Sequence, residues 1–150
     1  PLIGRLSDRF DARDLTGWGA LLSLVGTMIL VVLAYSGLNV ALLTIALLLR
    51  GGGGGAVGIP AMSAGYASIA RADIPMATTA LNIMQRIGGP TLITACATFL
   101  GWRLATVSPS HVVSEVYAET FGLLALFHGA LLLATRFIKP SEKKRWFGPN

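Results

Sequence analysis

The sequence predicts an all-α integral membrane protein with four transmembrane helices, and three observations carry that expectation. Hydrophobic residues make up 53% of the 150 and charged residues only 13%, against about 25% charged in a soluble domain, and the mean hydropathy is +0.67. The apolar residues fall into four long runs, each near the roughly 20 residues that a bilayer crossing requires. The basic residues sit at the ends of those runs and form no patch interleaved with aromatics. The net charge of +5 therefore reads as membrane topology, with no nucleic-acid partner.

Residues 1–16, which open PLIGRLSDRFDARD, form a polar loop. The first span covers 17–37, interrupted mildly by Ser23, Thr27, Tyr35 and Ser36. Ser36, Gly37, Leu38 and Asn39 are turn chemistry, too short for anything but a tight helical hairpin. The second span, 39–69, carries Arg50, the run Gly51 to Gly55, Gly58 and Pro60 inside apolar surroundings, whereas a soluble glycine linker would have polar flanks. At about 1.5 Å per residue it would reach about 46 Å, against a hydrocarbon core of about 30 Å, so it must tilt, bend or protrude. Pro60 and the glycines supply the place to bend.

A short connection, 70–77, leads to the third span, 78–102. There Asn82, Gln85, Arg86 and Gly89 recur at three- and four-residue steps and so lie along one side. A polar stripe of this kind is expected to face protein or a water-filled cavity. Gly88, Gly89 and Pro90 read as a kink that shapes the helix. Residues 103–118, with Pro109, His111 and Glu115, form the longest connection, 119–138 the fourth span, and 139–150 a basic tail. With the N-terminal segment in the cytoplasm, nine of the 12 lysines and arginines lie inside, Arg103 alone lies outside, and Arg50 and Arg86 are in the membrane. That is a strong positive-inside pattern.

The chemistry-bearing residues point to transport and not to catalysis. Cys96 is the only cysteine, so there is no disulfide framework, and no clustered His, Cys, Asp or Glu set indicates a metal, a cofactor or an enzyme. Arg50 is the leading candidate. A central membrane arginine costs at least roughly 2.5 to 3.5 kcal/mol on insertion scales. It could hold an anionic substrate group, pair with a carboxylate, favour the ionised form of a nearby acid, or simply anchor on backbone carbonyls. Gly51 with Gly55, or Gly54 with Gly58, gives small-xxx-small spacing for close helix packing or for a hinge. Arg86 lies about 12 Å into its helix and can snorkel to the interface. His128, mid-helix in the last span, is either a proton relay or a hydrogen-bond partner of a neighbouring helix. Asp8 with Arg9 and Arg13 reads as a cytoplasmic gate network or as an ordinary solvated loop.

GRLSDRFDAR resembles the loop motif of the major facilitator superfamily, roughly Gly, three residues, Asp, Arg or Lys, one residue, Gly, then two basic residues. LLLRGGGGGAVGIP and ATTALNIMQRIGGPTLITACATFLG resemble the late helices of its EmrB/QacA-type drug:proton antiporter branch. The resemblance covers about residues 1–103. Asp11 departs from it by standing where the motif has glycine, and Ala12 by replacing a basic residue.

The resemblance implies that the four spans end the second six-helix bundle, and that a chain opening on Pro1 is the C-terminal fragment of a longer transporter. Its partners would be the missing N-terminal half, the lipid bilayer, protons and a small-molecule substrate exported by alternating access. The location implied is the cell membrane, multi-pass, which is the inner membrane in a Gram-negative bacterium. Arg50, Asn82, Gln85 and Arg86 become substrate or coupling candidates. Gly51, Gly54, Gly55, Gly58, Pro60, Gly89 and Pro90 become hinge or packing residues, and Gly4, Asp8, Arg9 and Arg13 the cytoplasmic loop motif. The second span would line the central cavity, with the first and fourth more peripheral. No carboxylate falls within a span, Glu119 standing at a helix end, so the proton-carrying acid is expected in the missing part. The same scaffold would also suit an importer or metabolite exporter, and a chain that exists as it stands would be a non-transporting membrane interaction module.

Overall fold

The computed structural model describes residues 11–107 and 113–137, and those residues form four long helices with no strand among them. Helix α1 is Ala12–Ser36, α2 is Val40–Ala67, α3 is Ile74–Thr106 and α4 is Val113–Ala134. Single 3₁₀ turns, Arg71–Asp73 and Thr135–Phe137, precede α3 and follow α4. Three segments are long and apolar enough to cross a membrane: Arg13–Ser36, Val40–Ser63 and Val113–Phe137. The chain is thus an all-helical, membrane-associated, multi-pass protein. Helix α3 is the longest, at 33 residues, yet it is not among the three. Asn82, Gln85 and Arg86, followed by Gly88, Gly89 and Pro90, dilute its apolar content at the point where a span would be most hydrophobic.

The α1–α2 hairpin forms where turn chemistry placed it. Gly37 adopts φ 88° and ψ 167°, a region that only glycine enters readily, and its N–H donates to the Leu33 carbonyl to close α1. Asn39 then caps α2, its side-chain oxygen accepting from the Leu42 N–H at 3.1 Å. This satisfies one of the four amide donors that a helix start leaves open.

The other helices outrun the apolar runs that define them. Helix α1 begins at Ala12 and not at 17. Helix α3 begins at Ile74, with Pro75 in the first turn, and runs on to Thr106 where the span was expected to close at 102. Helix α4 begins at Val113 where the span was expected from 119. Hydropathy marks what the bilayer covers, whereas helical hydrogen bonding propagates until a breaker stops it, and proline is tolerated at the first helical positions. Helix α2 also runs unbroken through Gly51 to Gly55 and past Pro60, so the glycine block is part of the helix.

Helix α1 lies between α2 and α4, and α3 leans on α4 while barely touching α2. Of the three candidate spans, the one in α1 is the most buried and the one in α2 the least. Among these four helices, then, α1 is the centre and α3 the periphery. Leu30, Leu33 and Ala46 form the apolar core, backed by Ile29, Leu43 and Phe121 from α1, α2 and α4.

Candidate functional site

Helices α1 and α2 approach closely along a seam, and small residues on both make it. A Cβ built at Gly19 would stand 2.7 Å from the Gly53 carbonyl oxygen, and one at Gly26 would stand 2.7 Å from the Ala46 oxygen and 3.0 Å from the Arg50 nitrogen. Gly53 faces the Gly19 carbonyl and Ser23 in return. Ser23 Oγ, in the same seam, donates to the Arg50 carbonyl oxygen at 3.3 Å. Without a hydrophobic drive between helices in lipid, contact this close is what holds a hairpin together.

The glycine block therefore splits by face. Gly53 is buried in the seam, while a Cβ at Gly51, Gly54 or Gly58 would meet nothing within 4 Å. The two small-xxx-small pairs read as hinge or packing candidates are not the ones the α1–α2 seam uses: a Cβ at Gly51, Gly54 or Gly58 would point away from α1, and Gly55 is half-buried. Pro60 is fully buried. Spacing alone offered several equivalent pairs. The signal that picks the right one is the matching run Gly19, Ser23, Gly26 on the preceding helix.

Arg50 sits at the border of these faces. Its backbone is held against α1 through Ser23 and Gly26, and its side chain is half-buried. Among the described residues no hydrogen bond or ion pair reaches its guanidinium. Asn82, Gln85, Arg86, Gly89 and Pro90 are all exposed. Gln85 is the one with a side-chain link to α2, its Nε2 donating to Met62 Sδ at 3.1 Å. The stripe on α3 is therefore a polar face uncovered by the described residues, and no hydrogen bond or ion pair among them joins Asn82 or Arg86 to Arg50. Gly4, Asp8 and Arg9 lie outside the described residues, whereas Arg13 is half-buried in the first turn of α1.

His128 hydrogen-bonds its own helix, Nδ1 to the Leu124 oxygen at 2.8 Å, and not a neighbouring one as expected. A ring nitrogen that close to a carbonyl must carry the proton, so Nε2 is the open position in the neutral ring. Cys96 is a free, half-buried thiol, and no metal-binding cluster forms among the described residues.

At the far end of the bundle the structure makes a pair that sequence reasoning missed. Arg103 donates twice to Glu119, Nε to Oε2 and Nη2 to Oε1, both at 2.6 Å. The guanidinium also lies 6.0 Å from the Trp102 ring centroid, within reach of a cation–π contact. The two-pronged geometry fixes orientation as well as distance, and it ties α3 to α4 where α3 has little other packing. The signal was opposite charges on the two flanks of one loop. Assigning Arg103 to that loop hid the fact that it is helical. No family model, curated protein or solved structure matches the chain.

Proposed function

We propose that this chain is the C-terminal part of a proton-coupled secondary transporter of the major facilitator type, exporting drug-like or amphipathic compounds across the cell membrane by alternating access. The observation that carries the reading is Arg50. It lies ten residues after Val40, the start of a candidate span, hence about 15 Å into a core about 30 Å thick. A midplane guanidinium without an acidic partner among the described residues calls for a carboxylate, an anionic substrate group or water supplied from outside them. The outward face of α2 at Gly51 and Gly54, and the polar stripe of α3 at Asn82, Gln85 and Arg86, are the surfaces on which the rest of such a bundle would close, with α3 as the fourth span.

The test is proton-gradient collapse in vesicles holding the intact protein. Candidate amphipathic cations and neutral drugs are added outside while an internal pH dye is followed. Substrate-dependent collapse is expected in the parent, abolished in Arg50→Ala. Arg50→Lys should retain part of it, because lysine keeps the charge and loses the planar fork. No collapse with any compound overturns proton-coupled efflux, and exchange with sugars, organic acids or siderophores in counterflow would instead identify an importer or metabolite exporter.

A further inference from the structure

We propose that an apolar cavity between the end of α1, the start of α2 and the first turns of α4 binds an uncharged, medium-chain aliphatic alcohol. The cavity has a volume of about 240 Å³. One candidate span ends at Ser36 and another begins at Val113, so the cavity opens at a membrane–water boundary. Leu30, Leu33, Leu43 and the Phe121 ring line it, and the same four side chains belong to the apolar core. The cavity is thus an unfilled extension of that core. Ser114 and Tyr117 line it on the first turns of α4, nearer the boundary.

The lining sets the charge, the polar group and the shape of the ligand. No lining residue is charged, so a carboxylate or an ammonium would enter without a counter-ion there, and stripping its hydration costs far more than burying a hydroxyl. The side-chain polar groups of the lining are the Ser114 and Tyr117 hydroxyls, and among the described residues no hydrogen bond reaches either. A ligand hydroxyl can donate to one and accept from the other, which a hydrocarbon cannot do. The lining runs from Leu30 to Leu38 on α1 and from Ser114 to Phe121 on α4, about 10 to 12 Å along each helix. A volume of about 240 Å³ over that length is a channel about 5 Å across, close to the separation of about 4 Å at which carbons pack. It admits one chain.

Volume then fixes the length of that chain. An apolar cavity of about 150 Å³ stays dry and takes benzene, so one of this size takes about ten heavy atoms, or about nine carbons and a hydroxyl. Because lipid is as apolar as leucine, transfer alone does not favour the cavity over the bilayer. Preference comes from fit and from the two hydroxyls. Relative to the surrounding lipid or detergent, binding rises while added methylenes fill the cavity and falls once the chain outgrows it. An acyl chain lying loosely against the helices would show neither a length optimum nor a preference for a hydroxyl.

The test is photolabelling of the intact protein in detergent with a diazirine-bearing octanol, the labelled residues being identified by mass spectrometry. Straight-chain alcohols of increasing length compete at equal mole fraction in the micelle. Label is expected on the lining residues of α1 and α4, with competition strongest at about nine carbons. The carboxylic acid and the amine of that length should compete about tenfold less well or worse. Tyr117→Phe and Ser114→Ala should each weaken competition about threefold to tenfold, the value of one hydrogen bond, without moving the optimum. Ala34→Leu, at a half-buried lining position, puts about three carbons into the cavity and should shorten the preferred chain by about as many. Label spread evenly over the lipid-facing surface overturns the proposal, as does competition that climbs steadily with chain length. Equal competition by the acid overturns it too, and so does an optimum unmoved in Ala34→Leu or full competition in both hydroxyl variants. The measurement uses neither Arg50 nor a proton gradient, so its failure is distinct from failure of the transport reading.

Discussion

Gly53→Ala should separate α1 from α2, while the same change one residue later should not. The added Cβ would stand 2.5 Å from the Gly19 carbonyl oxygen and 2.7 Å from the Ser23 nitrogen, and would collide with Ser23 Oγ as well. The first two are backbone atoms of α1 and cannot rotate aside, so the helices must part or slide. Overpacking of this kind costs about 1 to 3 kcal/mol. The obstruction by backbone puts Gly53 at the upper end, and replacing a helical glycine by alanine returns about 1 kcal/mol. The net loss is about 2 kcal/mol, or roughly 30-fold in the packing equilibrium. At Gly54 a Cβ meets nothing within 4 Å, so only the propensity gain of about 1 kcal/mol remains. The assay is reversible unfolding of the purified protein in mixed micelles, titrated with a denaturing detergent and followed by circular dichroism. A Gly53→Ala protein as stable as the parent would refute the seam.

Three further outcomes follow from the helix ends and the far clasp. Gly37→Ala should cost about 1 to 3 kcal/mol in the same titration, because φ 88° with ψ 167° is a conformation that a side chain rarely adopts. Asn39→Ala should cost about 1 kcal/mol by removing the cap on the Leu42 N–H, and Asn39→Asp should restore it. Arg103→Glu should free the end of α3, read as faster amide hydrogen exchange over residues 100–106. The double variant Arg103→Glu/Glu119→Arg should recover the protection, and added salt should erode it because the parent pair is 30% and 40% exposed.

What could be read from the sequence was what depends on one segment at a time. The hairpin at Ser36 to Asn39 needed only a residue that tolerates positive φ and a capping side chain, both local properties, and Gly37 and Asn39 supply them. The helical class needed only composition and run length. The ends of α3 and α4 were misjudged because apolar length measures the bilayer and not the helix. With Leu104, Ala105 and Thr106 carrying no breaker, the chain stays helical to Thr106 and delivers Arg103 to Glu119. A span limit was used where a helix limit was needed, and Arg103 vanished into a loop.

The face of the glycine block was beyond any one-segment reading, for a reason built into its composition. A helix with glycine at five consecutive positions presents a small residue in every direction, so its own sequence fixes no packing phase. The phase comes from α1, where Gly19, Ser23 and Gly26 leave a shallow stripe about two α-helical turns long, and from the larger side chains around them. Once Gly53 is set against Gly19 and Ser23, the rest follows by rotation at about 100° per residue. Gly54 turns a quarter of the way round and Gly51 falls nearly opposite, both into open space. Arg50, just under one turn before Gly53, is left with its backbone in the seam and its side chain at the seam's edge. Its half-burial is therefore a consequence of which glycine packs. Moving the seam to Gly54 would rotate Arg50 by the same quarter turn, so the contact that decides stability also decides where the membrane charge points.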